Sequence, residues 1–182
     1  MIRRIVRKMR GRLLRSSPES LVRNGLRLGR NVYIGDDVYI DYGFCWLVTI
    51  GDDCALAPRV YVLAHDASMK IATGHTKVAR TTIGPRTFVG AGSIVLPGVT
   101  IGADCVIGAG SVVSRDIPDG SLAVGSPARV VGTTAEHGAR HRELIGSRPV
   151  WPWRGWTVAG GITDATKAIM RECLADGFGY VE

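Results

Sequence analysis

Paired cysteines are absent from this sequence. Cys45, Cys54, Cys105 and Cys173 stand far apart with no C-x-x-C spacing, which removes zinc knuckles and gives no disulfide framework. They read as buried thiols in a reducing cytoplasm. Long apolar runs are absent too. No stretch approaches the ~18 apolar residues of a membrane-spanning helix, and no apolar core of secretory-signal length follows the charged start. With 46% hydrophobic and 21% charged residues over 182 positions, the composition is that of a soluble globular chain, long enough for one principal domain with appendages.

Acidic residues are missing from one place in particular. Residues 1–15, MIRRIVRKMRGRLLR, carry seven Arg or Lys and no Asp or Glu. The whole chain has 23 basic and 16 acidic residues, so the rest holds 16 of each and the net charge of +7 belongs to this segment alone. A nucleic-acid-binding surface spread over the domain is therefore not expected. Ile2, Ile5, Val6, Met9, Leu13 and Leu14 fall at helical spacing opposite the arginines. They predict a basic amphipathic helix within residues 1–23, suited to peripheral contact with an anionic membrane face, to a groove on another subunit, or to packing on its own domain.

Glycine, in contrast, is abundant, and it is periodic. From Leu28 the chain reads LGRNVY, IGDDVY, IDYGFC, slips by four residues at WLVT, and resumes with IGDDCA, LAPRVY. From Ile83 it reads IGPRTF, VGAGSI, VLPGVT, IGADCV, IGAGSV, and the anchors Ile83, Val89, Val95, Ile101, Ile107 and Val113 recur every six residues without a slip. Such a beat fits neither an α-helix nor a single extended strand. It fits a coil with three short sides, each sending one aliphatic side chain inward, with small residues such as Gly84, Gly90, Gly102 and Gly108 at the corners. The fold expected is an all-β triangular prism of stacked parallel strands. Between the two arrays, residues 66–81 leave the beat as an excursion.

These motifs, with DGSLAVGSPARVV after them, resemble the hexapeptide-repeat acyltransferases, in particular the maltose, galactoside and nodulation-type sugar O-acetyltransferases and their polysaccharide-modifying relatives. The resemblance covers about residues 24–132 and implies a left-handed parallel β-helix, although parallel crossovers are ordinarily right-handed. It also implies a homotrimer with active sites between subunits and acetyl-CoA as the acyl donor. Residues 133–182 lie outside it as a C-terminal extension. There, a helical turn is expected at residues 140–145, Thr163 is a candidate cap for a helix reaching about Ala175, and WPWRGW is either a sugar-stacking platform or a staple for the extension.

His65 stands where the excursion leaves the coil. An imidazole is the usual general base for a hydroxyl at neutral pH, while a lone histidine at a loop edge is more often structural than catalytic. The resemblance of YVLAHDAS to the family's segment ending in the catalytic histidine implies the first role. It also implies that Asp41 contacts the acceptor. Asp66 either orients an imidazole, contacts the acceptor or closes a turn. Phe88 replaces the family's common Trp near the reacting groups. On the donor side, the resemblance implies backbone contacts of Ala91 and Ala109 to the pantetheine arm, and Ser114, Arg115 and Arg129 near the adenosine phosphates. No histidine spacing builds a three-histidine metal site, so no metal is expected. The function expected is acetyl-CoA-dependent O-acetylation of a sugar hydroxyl in glycan or polysaccharide biosynthesis, by direct transfer to the hydroxyl. An N-acetyltransferase of an amino sugar, an antibiotic acetyltransferase and a nonenzymatic scaffold are the alternatives.

Overall fold

The structure, a computed structural model, describes residues 17–182. The basic segment expected to form a helix lies almost wholly outside the described residues. Within them a helix spans Pro18–Arg23, capped by the Ser17 hydroxyl, which accepts the Ser20 N–H. Two compact units follow one another, the first ending at Thr134 and the second spanning Ala135–Glu182.

The first unit is a prism of three parallel sheets. One face stacks Arg27–Leu28, Val48–Ile50, Thr81–Ile83 and Thr100–Ile101; the second stacks Tyr33–Ile34, Ala55–Leu56, Phe88–Val89, Val106–Ile107 and Ser121–Gly125; the third stacks Tyr39–Ile40, Tyr61–Val62, Ile94–Val95 and Val112–Val113. Thr82 pairs with Thr100 and Phe88 with Val106, so one turn of the coil consumes 18 residues, three hexads. All six slip-free anchors from Ile83 to Val113 are fully buried. Each such side chain contributes about 1.5–3 kcal/mol by leaving water, which makes the aliphatic column the main support of the prism. The antiparallel strand Ala128–Thr133 folds back on Ser121–Gly125 and covers the last edge of the second face.

The glycines of the beat serve stacking rather than turning. A Cβ on Gly84 would lie 2.5 Å from the Gly102 carbonyl carbon, and one on Gly90 would lie 2.5 Å from the Ala109 nitrogen. The tight backbone turn falls two residues later, where Asn31, Asp53, Arg86 and Asp104 take positive φ angles. Asp and Asn enter that region at low cost. At two such corners the side chains tie successive coils together: Arg30 donates to Asp52 and Arg86 to Asp104.

Two interruptions shape one edge of the prism. Tyr39 pairs with Tyr61, 22 residues on, so four extra residues separate the first two coils; they fall around a 3-10 turn at Cys45–Leu47. Tyr61 pairs with Ile94, 33 residues on, so the excursion adds 15 (33 minus 18). It is itself ordered: His65–Asp66 pairs antiparallel with Lys77–Val78, and Lys70–Thr73 forms a short helix between them.

In the second unit the helix Thr134–Ile145 starts well before the turn expected at residue 140, and Asp164–Cys173 is helical behind a capping box at Thr163. Val150–Trp151 pairs with Tyr180–Val181. Trp151 is buried and stacks on Trp156 at 5.6 Å, whereas Trp153 is exposed. The aromatic cluster therefore serves, at least in part, as the core of this unit. All four cysteines are free. Burial pushes the Cys54 and Cys105 thiols up from their ordinary pKa, as expected of buried thiols, and Cys45 is buried too. Cys173 departs from the expectation: it sits exposed at the end of an amphipathic helix.

Candidate active site

One coil, lengthened by four residues to 22, places His65 and Asp41 on one corner of the prism. Asp41 follows the third-face strand Tyr39–Ile40, and His65 follows Tyr61–Val62 one coil later; the Asp41 N–H donates to the Val62 carbonyl at 2.9 Å. The Asp41 carboxylate has no exposed surface. One oxygen accepts the Gly43 N–H at 3.1 Å. The other accepts the Ala64 N–H at 2.9 Å and lies 2.5 Å from His65 Nδ1. A carboxylate already taking backbone donors on both oxygens is an acceptor, so Nδ1 carries the proton and Nε2 the lone pair. The imidazole is one-third exposed. Behind it, the Phe44 ring lies 5.2 Å away at 44°. Beside Asp41, burial pushes the Tyr39 phenol up to about 12, with the carboxylate adding to the effect, so this tyrosine is neutral at physiological pH.

This geometry corrects one expectation. Asp41 does not present itself to an acceptor: it has no exposed surface, and both its carboxylate oxygens are bonded inside the protein. Asp66, the alternative partner for an imidazole, turns away instead. It is exposed and accepts the Ser68 N–H at 2.8 Å, and that bond holds its carboxyl below the ordinary range. Of the three roles open to it, the turn is the one it fills in this structure.

The donor-side residues fall elsewhere. Ala91 and Ala109 occupy successive corners between the second and third faces, and the Ala91 carbonyl accepts the Gly110 N–H at 2.8 Å. An open groove runs along that edge past Asp36, Arg59 and Ala91. Phe88 points outward from the second face between Ala55 and Val106 and is 44% exposed. Arg129 lies exposed on the returning strand, with its guanidinium donating to the Ala128 carbonyl. Ser114 and Arg115 are exposed on the same corner as His65, further along the prism. Within one chain, then, Asp41, His65, Ser114 and Arg115 share one edge of the third face, and Ala91 and Ala109 share the other.

An 18-residue coil of three parallel faces, anchored by an aliphatic residue at each sixth position, narrows the kinship sharply. Residues 80–115 match the family described as bacterial transferase hexapeptide (six repeats). Over these residues the chain is similar to hexapeptide-repeat proteins. It is 43% identical over 111 residues to nodulation protein L of Rhizobium meliloti, a match that covers 57% of this chain and 61% of the relative. It is 37% identical over 110 residues to the galactoside O-acetyltransferase of Escherichia coli, covering 57% and 54%. Among solved structures, a maltose O-acetyltransferase from Clostridium difficile is similar with a TM-score of 0.51 at 29% identity, covering 66% of this chain and 78% of that one. The chain thus spans about three fifths of the length of the curated relatives it matches.

Sequence reasoning missed two features of this site. The pairing of Asp41 with His65 crosses 24 residues and depends on coil register. Phe44 was carried by a visible signal, the slip after IDYGFC, but a slip does not say which side chain it aims inward. Among the described residues no group of three His, Cys, Asp or Glu could hold a metal, and no helix is long and apolar enough to cross a membrane. His137 and His141 do meet, 4.6 Å between rings, with His141 bonded to the Tyr180 hydroxyl in the second unit.

Proposed function

We propose that this chain is an acetyl-CoA-dependent O-acetyltransferase that acylates a sugar hydroxyl, with His65 as general base and Asp41 as its positioning residue. The observation that carries the reading is the buried Asp41 carboxylate bonded to Nδ1 of a part-exposed His65, which leaves Nε2 as the basic nitrogen at the lip of the coil. The similarity to galactoside and maltose O-acetyltransferases supports the reaction class and the left-handed sense of the coil.

Nε2 takes the proton of the acceptor hydroxyl as its oxygen attacks the thioester carbonyl. The carbonyl oxygen becomes an oxyanion, which backbone N–H groups of the coil corners stabilise. Collapse expels the CoA thiolate, and the imidazolium returns the proton to sulfur or to solvent. Asp41 stabilises the imidazolium and holds the tautomer that makes Nε2 the base. No covalent enzyme intermediate is needed. Arg115 and Arg129 are the cations for the donor phosphates. Because the base and the Ala91–Ala109 edge lie on opposite sides of one face, a complete site takes its base from one subunit and its donor channel from the next. That arrangement fits a homotrimer.

The direct test is His65→Ala. Proton transfer by a placed base is worth about 10² to 10⁴ in rate, so turnover should fall by at least that factor while acetyl-CoA still binds by calorimetry. A near-normal rate in the variant sinks the assignment.

A further inference from the structure

The four residues added after Asp41 have no part in the transfer chemistry above. They build a turn whose aromatic side chains start at the base and run outward. The Phe44 ring is 5.2 Å from the His65 imidazole, and the Trp46 indole is 5.6 Å from Phe44 at 53°. We propose that Phe44 and Trp46 form a stacking platform for the pyranose ring of the acceptor, a subsite for a neutral sugar beside His65; the inference rests on the O-acetyltransferase reading.

The seat beneath these rings is rigid. Cys45, between them in sequence, is fully buried, and its thiol donates to the Asn24 carbonyl at 3.3 Å and the Leu21 carbonyl at 3.6 Å. The Leu47 N–H donates to the Phe44 carbonyl at 2.9 Å and closes the turn, while the Gly43 N–H ties its start to Asp41. Gly25, with φ of +102°, lies so near that a Cβ on it would come within 2.9 Å of the Trp46 Cβ. Yet Trp46 is 54% exposed. An indole on a bonded turn, left in water and packed on the ring that packs on His65, is a ready-made binding face: it offers large apolar area at little entropic cost on binding.

The surroundings select the class of ligand. Asp41, Phe44 and Val78 frame the imidazole, Val78 as its cross-strand partner in the excursion hairpin. None is a cation, and the nearby Lys77 stands opposite Asp66, whose carboxyl it helps to hold down. A ring that shows a face of axial C–H bonds to an indole and one hydroxyl to Nε2 fits this frame. A ring with an anionic group at the stacked face does not.

The test compares methyl β-galactopyranoside and methyl β-glucopyranoside with sorbitol, a linear polyol of similar hydroxyl content, as acceptors for the full chain. Trp46→Ala should raise KM for the pyranosides about 5- to 10-fold, shift the sorbitol and acetyl-CoA KM values little, and leave the assembly intact by sedimentation. Trp46→Phe should recover most of the loss. A readout free of turnover uses the His65→Ala protein: saturation transfer to the pyranoside ring protons should be strong, and lost when Trp46→Ala is added. The proposal is overturned if Trp46→Ala changes neither pyranoside KM nor saturation transfer, if no saturation transfer to the pyranosides is seen, or if Trp46→Ala dissociates the assembly, which would make the indole a subunit contact. If the wild type acetylates no hydroxyl while Trp46-dependent saturation transfer persists, the O-acetyltransferase reading fails and the platform stands.

Discussion

Asp41 is a buried carboxyl group, and three bonds inside the protein hold it. Two backbone N–H groups and the imidazole satisfy its oxygens, as a buried polar group requires. The same bonds fix its orientation, so its effect on the reaction passes through His65. Asp41→Asn should therefore fold, keep its acetyl-CoA affinity, and lose about 10² to 10⁴ in turnover. Circular dichroism and steady-state kinetics on one preparation would check this, and turnover within threefold of the wild type would refute the positioning role. His65 was legible as a candidate only through the end of the six-residue beat together with the resemblance of YVLAHDAS to the family's histidine segment. Its partner was not, because nothing local marks position 41 as lying beneath residue 64. Only the 22-residue register between Tyr39 and Tyr61 sets that contact.

At the scale of the hexad, each position has its own physical task. The first residue fills the interior, the second must often lack a side chain because the next coil passes over it, and the fourth turns the backbone through positive φ. Gly84 and Gly92 separate these tasks. A Cβ at Gly84 meets the Gly102 backbone, whereas one at Gly92, with φ of +70°, meets nothing within 4 Å. Gly84→Ala should destabilise the prism by about 1–3 kcal/mol through overpacking. Gly92→Asn should cost under about 1 kcal/mol, since Asn tolerates that turn conformation. Urea unfolding of the two variants would check the order, and equal losses would contradict the division. The sequence reading placed glycine at the corners but did not give the cause of its being there. Composition shows that a small residue is needed without showing whether conformation or a neighbouring backbone demands it. The excursion was similarly visible as a gap, while its hairpin and short helix were not, because a 15-residue segment without a period carries no internal register.

At the scale of the whole molecule, the split of the candidate residues between two edges of the third face is the feature with the widest consequence. A lone prism holds His65 on one edge and the Ala91 and Ala109 corners on the other. Equilibrium sedimentation should give a mass three times that of the chain. Mixing His65→Ala with Arg129→Ala by joint unfolding and refolding should restore activity at roughly a quarter of the interfaces, those that draw the intact base from one chain and the intact arginine from its neighbour. A mixture no more active than the sum of its parts would place base and donor site in the same subunit.

The sequence by itself determined the prism. A six-residue spacing of aliphatic anchors has few other ways to bury them, and the period states both the number of sides and where the stack is interrupted. Tertiary structure decided what meets at the candidate site: which carboxylate bonds His65, that Asp66 bonds Ser68, that Phe44 and Trp46 line up from the imidazole, and that Ala91 and Ala109 lie across a face from His65. Periodicity is a local property readable from spacing along the chain. A site is made by register between coils 22 and 33 residues apart, and a four-residue slip or a 15-residue excursion resets which side chains meet.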